Sequence, residues 1–314
     1  CAPWAGRATI GHSLSSREQH MNTSRIGLVG VGLMGHGIAL NIARKGHALT
    51  VLEHPGNQPL DELRALGVAS AATVQDLARQ VQVLILCVTG SPQVEAVLLG
   101  EQGALATLQP GTVVIDCSTA IPASTESVAR AVTAAGGRFL DAPMTRTPRE
   151  AAEGRLNLLV GGDAQLLQEC LPLLQCFAEN ITHTGAVGSG HRMKLLHNYV
   201  SLGSVALIAE AAACALAAQV SPQVFVDVLA KGGGGGVALE RLRPYLLQQD
   251  PSGLRFFMSN ALKDMGYYTT MAQDGAAAHG IAQAVHDTFA SAVAEGGPQR
   301  LVPELVAILG KNTL

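Results

Sequence analysis

Apolar residues follow two rhythms along this chain. In the first half, short runs of Val, Leu, Ile and Ala alternate with segments whose apolar positions recur every three or four residues. Residues 25–30 read as a buried strand, followed by a Gly-rich turn, a helix through Arg44 and a second strand over 48–53, which together make a βαβ unit. Further apolar runs at 83–88, 113–116 and 138–141 are separated by helical patterns at 91–99 and 123–135. Such alternation predicts an α/β fold with a doubly wound, mostly parallel sheet covered on both faces.

Residues 157–160 add one more strand and 164–177 a helix after it, with the sheet region ending near Thr184. From Gly190 onward only long helical patterns remain, broken at Ser221-Pro222, at the run Gly232 to Gly236 and at 250–253. The expected organisation is a sheet domain over 22–186 and an all-α domain over 187–314. Residues 1–21 lack an apolar run and are set aside as an extension. A transit peptide is the alternative, favoured by Arg7, Arg17 and several serines and opposed by Glu18.

Composition narrows the partners. A chain of 314 residues accommodates two cores. The net charge of −3 offers no basic field for nucleic acid or anionic lipid, so neither is an expected partner. The six cysteines form no C-x-x-C pair, which argues against zinc or a disulfide framework and for a reducing cytoplasm. The apolar stretch 202–218 carries Glu210 near its middle and reads as a buried soluble helix, not a membrane span. No metal site is expected.

Gly30-Val31-Gly32-Leu33-Met34-Gly35 fits G-x-G-x-x-G between a strand and a helix. In that setting Gly30 allows the tight turn, Gly32 admits a pyrophosphate to the backbone N–H groups, and Gly35 lets helix and strand pack closely. Glu53 closes the second strand about 20 residues on, where a carboxylate accepts hydrogen bonds from ribose hydroxyls. It disfavours a 2′-phosphate, so NAD is preferred. His54 beside it keeps NADP open.

The stretch from Ile26 to Gly35, continuing to Asn41 and Gly46-His47, resembles the opening of the β-hydroxyacid dehydrogenase family, which includes 3-hydroxyisobutyrate dehydrogenase and tartronate semialdehyde reductase. Later segments match in order: Asp116-Cys117-Ser118-Thr119, Asp141-Ala142-Pro143-Met144-Thr145-Arg146-Thr147, the run from Gly190 to Asn198, and Leu262-Lys263-Asp264-Met265-Gly266. The resemblance implies a Rossmann domain followed by a helical substrate and oligomerisation domain. It also implies that Val88, Thr89, Thr119 and Lys263 lie along the cofactor, and that Ser118, Thr145, Arg146, Thr147 and Asn198 face the substrate, with Lys194 catalytic. Two departures stand out. The family's usual Ser-Gly-Gly is replaced by Thr145-Arg146-Thr147, and His197 stands where an asparagine is usual. A Gly-Arg-Thr turn occurs in the sulfolactaldehyde reductase branch, whose Lys-Leu-Ile-Asn-Asn-Tyr segment also resembles Lys194 to Tyr199, so the resemblance points to that branch.

Lys194 and Asn198 lie four residues apart on one helix face. Hydride transfer requires that a hydroxyl proton be taken up or released, and an amine of lowered pKa does this. Arg146 and Lys263 are the candidate neighbours that lower it. A guanidinium also selects carboxylate, sulfonate or phosphate. The plainer alternatives are a solvated Lys194, an Arg146 bonded to backbone or Glu150, a Lys263 paired with Asp264 or in an oligomer contact, and a partly buried His197 without a chemical role. The expected activity is oxidation or reduction of a short acidic β-hydroxy compound, of the 3-sulfolactaldehyde, 3-hydroxyisobutyrate or tartronate semialdehyde type. A non-catalytic dinucleotide-binding scaffold and a reductase of larger imines are the rivals. The Ala-rich helices predict a homo-oligomer, dimer or tetramer.

Overall fold

Four consecutive apolar residues, Ile26–Val29, form β1 with every side chain buried, which is possible only where both faces of a sheet are covered. A computed structural model describes residues 24–311; the 1–21 extension lies outside the described residues. Six parallel strands form the sheet's main body: β1, β2 (Leu49–Leu52), β3 (Ala69–Ala71), β4 (Val83–Leu86), β5 (Val113–Asp116) and β6 (Arg138–Asp141). Their spatial order is β3-β2-β1-β4-β5-β6, the Rossmann order. The connecting helices are α1 (Leu33–Arg44), α2 (Asp61–Ala65), α3 (Val74–Gln80), α4 (Ser91–Leu99) and α5 (Pro122–Ala134).

The period of two along each strand separates two cores. Ile26, Leu28, Val83 and Ile85 join one cluster, while Val29, Leu84 and Leu86 join the other on the opposite face. Beyond β6 come β7 (Met144–Thr145), α6 (Pro148–Ala152), β8 (Leu156–Gly162), α7 (Ala164–Leu174) and β9 (Ala178–Gly185). Strand β8 runs antiparallel to β6 and β7 and parallel to β9.

A 29-residue helix, α8 (Ser189–Ala217), follows the sheet at once. It is joined by α9 (Pro222–Lys231), α10 (Val237–Gln248), α11 (Met258–Asp274), α12 (Gly280–Gly296) and α13 (Leu305–Lys311). Leu195, Leu202 and Ala206 of α8 pack with Leu242, Met265 and Phe289 in a third cluster. Among the described residues α8 alone is long and apolar enough to cross a membrane by composition, yet this face is spent on the helical core. Its other face leaves Met193, Leu196, Val200 and Leu207 exposed.

All the expected strands and the helical second half are present, and three strands are additional. Strand β3 is built of Ala-Ser-Ala and β7 has two residues, so neither carries an apolar run. Strand β9 lies at the sheet margin with mostly exposed polar residues. The helix expected to reach 177 ends at Leu174, because the chain turns there to enter β9.

Candidate active site

Chain connections leave β1 toward β2 and β4 toward β5, in opposite directions, so a crevice opens where β1 and β4 adjoin. The glycine turn sits at its mouth. Gly30 has φ +95°, and a Cβ there would lie 2.3 Å from the Cys87 carbonyl oxygen. A Cβ on Gly35 would lie 1.9 Å from the carbonyl of Gly30. Gly32 is different, since nothing lies within 4 Å of its Cβ position and the space is left for a ligand. Gly32 also caps α1 without a side chain, so the first-turn amides at Leu33 and Met34 keep their donors for an anion. Asn57 braces this turn by accepting from the Val31 amide at 3.2 Å and donating to the Leu52 carbonyl at 2.8 Å. Glu53 is held at the rim by the Ser70 hydroxyl at 2.6 Å, with Arg64 4.0 Å away. These residues fit a dinucleotide.

The ends of β4 and β5 are tied to each other and to the helical half. The Val88 amide donates to the Ser118 hydroxyl at 3.0 Å. From α11, Lys263 Nζ donates to the Thr89 carbonyl at 2.7 Å and lies over the Tyr267 ring, and the Tyr267 hydroxyl accepts from the Ser91 amide at 3.2 Å. Thr119 follows Ser118, half-buried. Thus Val88, Thr89, Ser118 and Lys263 are brought together, with Ser118 serving as a brace.

A buried polar knot fixes the start of α8. The Asp141 carboxylate accepts from the amides of Gly188 at 2.8 Å and His191 at 2.9 Å, supplying the cap that Gly188 cannot. The His191 ring reaches the Ser118 carbonyl at 3.1 Å and the Thr125 hydroxyl at 2.9 Å. Asp116, equally buried, has its pKa raised by loss of water, and the nearby His191 opposes that rise. One turn of helix therefore leaves a rigid anchor and delivers Lys194.

Lys194 is half-buried. Burial is the main cause that lowers its pKa to about 8; Asp264 pulls it upward, while Lys263 and Arg241 push it further down. Asn198, on the same face, donates from Nδ2 to Asp264 Oδ2 at 2.6 Å, and its Oδ1 lies 3.0 Å from His197 Nδ1. Asp264 is 3% exposed, and its Oδ1 lies 2.9 Å from Lys263 Nζ as an ion pair, off the hydrogen-bonding direction. Sequence reasoning saw Asp264 only as a surface partner of Lys263, and it saw no role for Arg241, Asn57 or Tyr267. The Lys-Asp pair within a helical motif was the one available signal.

The turn that the resemblance assigns to substrate is already occupied by protein partners. Thr145 is buried, its hydroxyl accepting from Asn157 at 3.1 Å. Arg146 adopts φ +83°, the left-handed conformation that the family's glycine enters freely. Its Nη1 donates to the Arg155 carbonyl and to the Glu179 carboxylate on β9, and its anticipated plain partner, Glu150, instead closes a capping box with Thr147 at the start of α6.

A glycine cradle at the switch point fits the phosphates of a dinucleotide, and the helix that follows the sheet carries a lysine of lowered pKa. Residues 25–185 match the NAD-binding domain of 6-phosphogluconate dehydrogenase, and residues 188–309 the NAD-binding region of NADP-dependent 3-hydroxyisobutyrate dehydrogenase. An NAD-dependent L-serine dehydrogenase of Pseudomonas aeruginosa is 31% identical over 258 residues, spanning 80% of this chain and 86% of that protein. A 3-sulfolactaldehyde reductase of Escherichia coli is 30% identical over 241 residues, spanning 77% and 80%. The crystal structure of a 3-hydroxyisobutyrate dehydrogenase from Salmonella typhimurium superposes with TM-score 0.79 at 26% identity, covering 90% of this chain and 99% of that one. The chain belongs to the β-hydroxyacid dehydrogenase family, and it is an NAD(P)-dependent oxidoreductase of the 3-hydroxyisobutyrate dehydrogenase type.

Proposed function

We propose that Lys194 is the general acid and base for interconversion of a short acidic β-hydroxy compound and its semialdehyde or ketone, with NAD the preferred cofactor. Val88, Thr89 and Thr119 would hold the nicotinamide, which would supply or accept the hydride when bound. In reduction the Lys194 ammonium donates its proton to the oxygen that becomes the hydroxyl; in oxidation the neutral amine takes that proton away. Asn198, held by Asp264, bonds the same oxygen and keeps it facing the amine. The reading is carried by one observation, an amine half-buried among polar groups with its pKa drawn to about 8.

Glu53 at the rim supports NAD over NADP, since its carboxylate receives ribose hydroxyls and repels a 2′-phosphate. A 3-sulfolactaldehyde-type or tartronate semialdehyde-type substrate remains within this chemistry. The division of labour is a nucleotide domain over 22–186 and a substrate and oligomerisation domain over 187–314. The exposed apolar face of α8 supports assembly with further copies of the chain.

A steady-state panel of short hydroxy acids and hydroxy sulfonates, each with NAD and NADP, tests the class. Turnover that disappears in Lys194→Ala while cofactor fluorescence quenching persists is the expected result. Quenching by the wild type without turnover on any member would leave the scaffold reading in place.

A further inference from the structure

The charges around Lys194 do not balance. Lys263 and Arg241 both act on Lys194, and Asp264 is the carboxylate that opposes them there. Asp264 is already engaged by Asn198 and Lys263, and Lys263 is also held by Thr89. Arg241 has no such engagement. It is half-buried on α10, and its guanidinium makes no hydrogen bond or ion pair among the described residues. A guanidinium carries five donors, and those of Arg241 are open to acceptors that a ligand brings.

Its place is set by packing. The next residue, Leu242, is fully buried in the cluster that holds Leu195, the residue after Lys194, so Arg241 and Lys194 lie on two helices packed together, α10 and α8. The charge of Arg241 acts on both Lys194 and His197. His197 spends Nδ1 on Asn198.

We propose that Arg241, and not Arg146, anchors the acidic group of the substrate, receiving a carboxylate or sulfonate in its guanidinium fork. The proposal rests on the reading of Lys194 as the proton-transfer group. Arg146 is the weaker anchor because a substrate anion there must compete with the Glu179 carboxylate already bonded to Nη1. At Arg241 nothing is displaced, and the anion offsets the excess positive charge. Carboxylate and sulfonate both offer paired oxygens, so the fork accepts either.

The experiment compares kcat/KM for a carboxylate substrate, a sulfonate substrate and a neutral diol of the same carbon length, in wild type, Arg241→Gln and Arg146→Gly. In Arg241→Gln the acid-to-neutral ratio is expected to fall roughly 10- to 100-fold, mainly through KM, with partial recovery on adding guanidinium ion. Arg146→Gly is expected to move that ratio far less. A ratio unchanged in Arg241→Gln, or one that collapses only in Arg146→Gly, overturns the assignment. Arg241→Lys keeps the charge and loses the fork; it is the second variant should the glutamine fail to fold, and an unchanged ratio in it overturns the assignment equally. Which acid gives the larger ratio separates carboxylate from sulfonate. Lys194→Ala measured alongside keeps the two readings apart, since its retained turnover sinks the proton-transfer role without altering the ratio measured for Arg241.

Discussion

Replacing Lys194 with methionine should make the protein more stable and inactive at once. The two side chains have similar length, so the space that Lys194 fills is largely kept. The amine's pKa falls from an ordinary 10.5 to about 8 in the fold, mainly through burial. A folded-state value below the unfolded one means that the protonated amine opposes folding. That cost is fully present below pH 8 and is relieved as pH rises toward 10.5. At 1.36 kcal/mol per pH unit it amounts to about 3 kcal/mol near neutrality and shrinks to about 1 kcal/mol near pH 9.5. Lys194→Met should therefore gain about 3 kcal/mol in urea unfolding at pH 7 and much less at pH 9.5, while losing turnover. A variant no more stable than wild type at pH 7, or with a gain independent of pH, would refute the picture of a desolvated ammonium.

The same pKa orders the pH dependence of the wild type: reduction should decline above pH 8 as the ammonium is lost, and oxidation should rise to a plateau there, both read from kcat/KM profiles. Asp264→Asn removes the one carboxylate that favours the ammonium and weakens the bond that holds Asn198, so the alkaline limb of reduction should move to lower pH with a rate loss of roughly 10-fold or more. Gly35→Ala drives a methyl to within 1.9 Å of the Gly30 carbonyl, and cofactor quenching should vanish while far-UV circular dichroism reports whether the sheet survives. Glu53→Ser should narrow the preference for NAD over NADP by roughly 10-fold in the ratio of kcat/KM values, because the rim loses its negative charge and keeps Arg64 nearby.

The sheet was legible because burial on both faces leaves so clear a trace. Val83–Leu86 is a continuous apolar run and Val113–Asp116 is apolar up to its last residue, and such runs between helices admit few topologies. The strands that escaped notice have no such demand on them. Strand β3 pairs only with β2 and needs small residues, and β9 turns half its side chains to water, so neither selects an apolar pattern. The glycine turn was legible for a related reason: Gly30 and Gly35 stand where any Cβ collides with backbone, which leaves a fixed spacing in the sequence.

Charge placement leaves no comparable trace. Lys194 and Asn198 could be paired from their spacing because one helix carries both. The groups that tune and orient them, Arg241 on α10 and Asp264 on α11, arrive from other elements, and no periodicity announces their approach. Arg146 shows the converse. Its sequence neighbourhood argued for a substrate anion, yet β9, a strand absent from the pattern, brings Glu179 to its guanidinium. A cation's availability depends on what the fold has already given it, and here a missed edge strand changes which arginine is free.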